Sequence, residues 1–279
     1  MHIAAFVSWL WVQASLAGRP LWLGDPLVEV VLGLLTAGYL AGLFFPHVAA
    51  RRAADAVGFR HMLAFFAGIT IVAAALFSPL DALGDRFFSL HMAQHLLLIA
   101  AAAPLLAVSD AHLVLISVLP LHLRENAGRM PVFAAVGEWS QLRSTAWLAA
   151  LLFVVTIWLW HVPAAHDFAT DNGWAHAIEH LTVLATATAF WRVVITTGKR
   201  RISPGMGAFM VSLVGLSGAL LSALIMFAPT PLCRAYMHNP IEDQVLAGLL
   251  MCIPASFVYL GSTIWALSRM LSDGTRHAN

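Results

Sequence analysis

The sequence predicts an all-α membrane protein, a bundle of seven transmembrane helices, on three observations. Of its 279 residues 60% are apolar and only 10% charged, with a mean hydropathy of +0.81, whereas a soluble domain carries about 25% charged residues. The apolar residues run in stretches close to the roughly 20 that a helix needs to cross a bilayer. The length holds about seven such stretches with short loops and no sizeable soluble domain, so any chemistry has to sit within the bundle. Fifteen Lys and Arg against fourteen Asp and Glu leave a net charge of +1, which excludes a basic field for gripping nucleic acid. Two cysteines, Cys233 and Cys252, form neither a disulfide framework nor a C-x-x-C pair.

Taken in order, residues 3–18 are a short apolar stretch ending Ser15-Leu16-Ala17-Gly18, similar to a signal sequence but without a preceding Lys or Arg. Residues 1–20 therefore read as a signal-like or peripheral segment, and 21–279 as a single transmembrane helical domain. Spans follow at about 27–45, 61–80, 87–107, 145–164, 173–195, 207–228 and 244–267. The first contains Gly38 and Gly42, a small-residue spacing for close helix packing, and the sixth a small-residue face of Gly215, Gly218, Ala219 and Ser222. Residues 110–122, interrupted by Pro120, are too short to span, and Leu113–Leu119 reads as interfacial or as a continuation of the third helix. Twelve of the fifteen Lys and Arg fall on one side of this topology, and Arg19, Arg86 and Arg234 on the other. By the positive-inside rule the N-terminus is outside and the C-terminus cytoplasmic.

Thirteen histidines are many for such an apolar chain, and histidine inside a span usually faces the bundle interior and marks a functional pathway. The third and fifth spans run in the same direction, and each carries a pair at i, i+4 near its outer end: His91 with His95, and His176 with His180. Residues four apart share a helix face about 6 Å apart, so two imidazoles can chelate one ion. Two such pairs at similar depth point to metal ligation. His161, ending the fourth span before Pro163, reaches the same layer as a further candidate. Glu179, a carboxylate inside a span, reads as a partner that orients a ligating histidine. Asp243 and Gln244 open the last span, and Met251 follows Gln244 by two turns on the same face. A thioether with imidazoles suits Cu(I), whereas imidazole with carboxylate suits zinc or iron equally. His166 and His238 in outer loops, and His47, His61, His112, His122 and His277 on the cytoplasmic side, read as ordinary polar residues, and His2 is uninformative. The sequence has no phosphate-binding glycine loop, no dinucleotide fingerprint and no nucleophile elbow.

Four segments resemble the CtaG-type cytochrome c oxidase assembly factors: Phe88–Leu98, Trp160–Pro163, Trp174–Leu181, and Pro229–Leu232 with Glu242–Met251. With the span pattern, the likeness covers most of residues 21–267. The resemblance implies an integral protein of the bacterial inner membrane that acts as an assembly factor or metallochaperone and not as an enzyme. It implies copper, as Cu(I) or Cu(II), delivered to the oxidase, with oxidase subunits and a periplasmic copper chaperone as partners. Its pattern matches at His91, His95, His161, His176, His180, Asp243 and Met251. Cys252 departs from it, standing where a tryptophan is expected after Met251, and Cys233 stands where an aromatic residue is usual, so neither is assigned as a ligand. Two other classes stay open on the residues alone. A seven-span zinc-dependent membrane hydrolase would use Glu179 or Asp243 as general base, and a haem protein would use facing histidines as axial ligands.

Overall fold

The computed structural model describes residues 25–44, 57–118, 143–195, 202–236 and 240–278. The segment 1–20, His47, His122, His238 and the side chain of His277 lie outside the described residues. The described residues form helices and no strands: α1 (Pro26–Phe44), α2 (Phe59–Leu76), α3 (Pro79–Gly84), α4 (Phe88–Val108), α5 (Ala111–Val118), α6 (Arg143–Trp160), α7 (Pro163–Asp171), α8 (Gly173–Ile195), α9 (Pro204–Met226) and α10 (Pro240–Ala278). α1, α3, α7, α9 and α10 start on a proline, whose fixed φ suits the first helical position and whose missing N–H is not needed there. Ser78 and Ser203 cap α3 and α9, accepting from Leu80 N at 3.1 Å and Met206 N at 3.3 Å.

Six helices, α1, α2, α4, α8, α9 and α10, are long and apolar enough to cross a membrane, and α6 with α7 makes a seventh candidate, bent by 74° at its break. The chain is a multi-pass membrane protein. Leu34, Leu216 and Phe257 are 69%, 69% and 72% exposed, as side chains facing lipid are. Half of the α4 span is buried and 44% of α8, against 17% of α10, so α4 and α8 are the centre around which the others pack.

Three local features differ from or refine the sequence reading. The chain turns at Ser109 and Asp110, where Asp110 takes the left-handed conformation at φ 49°, so Ala111–Val118 is a separate helix and not a continuation of α4. Gly42 lets α5 lie against α1, because a methyl group there would stand 2.6 Å from Val114 Cγ1. Gly215 on α9 serves Tyr259 of α10 in the same way, at 3.0 Å. Within α4, residues Leu97–Ala102 form a widened π-helical turn. Pro104 cannot donate to Ala100, and a proline ring crowds the carbonyl four residues back. Ala103 N bonds Leu98 O, and the carbonyl of Ile99 takes the Trp191 indole N–H at 2.9 Å. The widened turn begins two residues after His95 and is pinned to α8.

Candidate metal centre

The first turns of α4 and α8 meet in the bundle interior, each presenting histidines four residues apart. Helical spacing puts His91 and His95 on one face of α4, with ring centroids 4.6 Å apart, and His176 and His180 on one face of α8, 4.4 Å apart. The two faces converge. His91 lies 5.5 Å from His176 and 5.4 Å from His180, and His95 lies 5.3 Å from His180, centroid to centroid. All four are at most 5% exposed. Gln94 anchors this part of α4, its amide donating to Asp81 Oδ1 at 2.9 Å and to Ala75 O at 3.0 Å.

Glu179, one residue before His180, projects about 100° away around α8 and is fully buried. Its Oε1 stands 3.5 Å from His91 Nε2, 3.4 Å from His95 Nε2 and 3.9 Å from His166 Nδ1. Two overlapping sets of donors result. One atom each from His91, His176 and His180 lie within 4.8 Å of one another, and so do atoms from His91, His95 and Glu179. Both nitrogens of His91 and His95, both oxygens of Glu179 and Nε2 of His180 are buried without a hydrogen-bond partner. Buried polar atoms are normally paired, and an isolated carboxylate in a membrane interior costs several kcal/mol. A cation held by either set would satisfy these atoms and the charge together.

The remaining residues singled out in the sequence divide. His161 does reach this layer, its ring 5.6 Å from His95, and α6 orients it through a bond from Nδ1 to Ile157 O at 2.7 Å. Met251 lines an apolar cleft that also touches His95 and Cys252. Asp243, expected at the mouth of the site, instead caps α4. Its carboxylate accepts from Phe88 N at 2.6 Å, from Ser89 N at 3.2 Å and from the Ser89 hydroxyl. This fixes the start of the helix that carries His91 and His95, so Asp243 acts on the centre through position.

Two residues were missed. His166, read from the sequence as an ordinary loop histidine, lies on α7 at 1% exposure, its ring 4.8 Å from His91 and its Nδ1 turned toward Glu179. The bend between α6 and α7 folds it back into the layer. Its Nε2 meets the Tyr236 hydroxyl at 2.9 Å. Burial holds that phenol well above its usual range, so it stays protonated and able to donate. Met92, between the paired histidines, is fully buried with its sulfur 3.3 Å from His161 Nε2. The sequence signal for His166 was Trp160-His161-Val162-Pro163, a helix end followed by a helix start that reverses the chain.

Residues 227–236, which follow α9, form a strap tied to α7 and α10. Gln244 accepts from Leu232 N at 2.8 Å and donates to Thr230 O at 3.4 Å, while Arg234 N donates to Asp167 Oδ1 at 2.9 Å. Cys233 is buried within the strap, its thiol pushed up to about 12 by burial and by the nearby Asp167 and Glu179 carboxylates.

A family model, Cytochrome c oxidase caa3 assembly factor (Caa3_CtaG), matches residues 37–273, which include every residue of the cluster. No curated protein and no solved structure matches the chain.

Proposed function

From the premise that the chain belongs to the cytochrome c oxidase caa3 assembly factor family, we propose that it binds copper reversibly in the buried histidine layer and supports its delivery to a copper centre of the oxidase. The observation that carries this reading is the convergence of the His91, His95, His176 and His180 rings with the Glu179 carboxylate, in which both nitrogens of His91 and His95, Nε2 of His180 and both oxygens of Glu179 are buried without hydrogen-bond partners. Imidazole suits copper. Donors from α4, α7 and α8, with two alternative sets that share His91, let the ion change partners one at a time and so be released. Under this reading the layer lies at the periplasmic side of a bacterial inner membrane, where a copper chaperone and the oxidase reach it. The cationic loops then face the cytoplasm and the N-terminus lies outside.

Metal analysis of the purified full-length protein, compared with the His91→Ala, His95→Ala double variant, tests the proposal. The expected result is about one copper retained by the wild type and little by the variant, with the oxidase of a copper-limited strain carrying that variant short of copper. Unchanged copper in the variant would remove the pair from the site.

A further inference from the structure

The imidazole nitrogen and sulfur that face each other at His161 and Met92 form an arrangement that the His91, His176, His180 and Glu179 layer does not account for. His161 Nδ1 sits 2.7 Å from the carbonyl oxygen of Ile157. A carbonyl only accepts, so Nδ1 carries the ring proton. In the neutral ring Nε2 is then a bare lone pair. It points at Met92 Sδ, itself an acceptor, across 3.3 Å. Two lone pairs held face to face inside a bundle repel unless something positive lies between them. The separation matches such a chelate. Metal–nitrogen and metal–sulfur bonds of about 2.0 and 2.3 Å at a tetrahedral angle put the two donors about 3.5 Å apart, a few tenths of an ångström from the separation here. The adjacent His95 is 2% exposed, its ring 5.6 Å from that of His161, and its Nδ1 makes no hydrogen bond while its Nε2 faces Glu179.

We propose that Met92 and His161 form a distinct soft-cation position, selective for Cu(I), which exchanges its ion with the histidine and glutamate layer through His95. The proposal rests on the copper reading above and adds to it where the thioether is. The exchange is a ligand substitution: the ion keeps its charge, the bond to one donor forms as another breaks, and no electron is transferred. Nitrogen with thioether sulfur favours Cu(I) over Cu(II) and zinc. The layer, with its carboxylate, accepts all three. Met251 has no part in this position.

Full-length protein in detergent, loaded with two equivalents of Cu(I) under reducing, oxygen-free conditions, is examined by X-ray absorption at the copper edge. The expected spectrum contains a sulfur neighbour at about 2.3 Å. Met92→Leu, a volume-conserving change that a packed core tolerates, is expected to remove that neighbour and weaken Cu(I) retention at least about tenfold, with zinc retention unchanged. Met251→Leu is expected to leave the sulfur neighbour in place. A wild-type spectrum without sulfur, a sulfur neighbour that survives Met92→Leu, or an equal loss of zinc in that variant would overturn the soft position while leaving copper binding by the layer intact. A folded wild-type protein that retains no copper would overturn both readings.

Discussion

The two ends of the α4 and α8 pair hold the same residue types in opposite states. At the N-terminal ends, His91, His95, His180 and Glu179 are buried, and both nitrogens of His91 and His95, Nε2 of His180 and both oxygens of Glu179 have no hydrogen-bond partner. At the C-terminal ends, Asp110 pairs with Arg192, which lies 3.2 Å from His112 Nε2, and His61 Nε2 stands 4.0 Å from Asp110. There the side chains of His61, Asp110 and Arg192 are 35% to 38% exposed, so solvent reaches the charges and the ion pair is partly screened. A histidine is thus not a ligand candidate by count or by helix position. It becomes one where burial removes water and neighbouring groups leave lone pairs converging on one point.

The contrast is broken most directly by metal content. His176→Ala with His180→Ala is expected to lower copper affinity about 100-fold or more, while His61→Ala with His112→Ala leaves it unchanged. Equilibrium dialysis against a competing chelator measures both, and equal losses would erase the distinction between the two ends. A smaller difference separates the two aspartates. Asp243→Ala strips three buried donors of their acceptor and is expected to cost roughly 2–4 kcal/mol, read as a fall in melting temperature in detergent. Asp110→Ala breaks a half-exposed pair and is expected to cost no more than about 1 kcal/mol. If the Asp110 change proved the more destabilising, the cap on α4 would not be what holds the metal end in place. The smallest effect concerns the strap. With its thiol pushed up to about 12, Cys233 holds only about one part in ten thousand as thiolate at pH 8. Maleimide should therefore label it in the denatured protein and barely in the folded one, as mass spectrometry would show. Rapid labelling of the folded protein would mean that the strap does not bury the thiol.

Much of the fold was legible because its signals are local. Proline starts and apolar runs of span length do not depend on what they pack against, and the spans expected from hydropathy correspond to α1, α2, α4, α8, α9 and α10, with α6 and α7 sharing the bent one. The short segment after α4 was less legible, since whether Ala111–Val118 continues that helix turns on one residue, Asp110, adopting a positive φ. In the site, the i, i+4 pairs were visible in the sequence for the same reason that helices are. Asp243 came into the site through the family resemblance, but its carboxylate accepts from the start of α4, 155 residues away in sequence. Met251 was singled out because it shares a helix face with Gln244, and Met92 was not considered. Nothing in the spacing tells which sulfur another helix will meet.

By itself the sequence determined that this chain crosses a membrane several times and carries two histidine pairs on helix faces, because hydropathy and helical periodicity are properties of consecutive residues. Tertiary structure alone decided that the two faces meet, that the 74° bend turns His166 inward, and that His161 finds Met92. Those contacts join residues tens of positions apart, and only the packing of whole helices against one another brings them within reach.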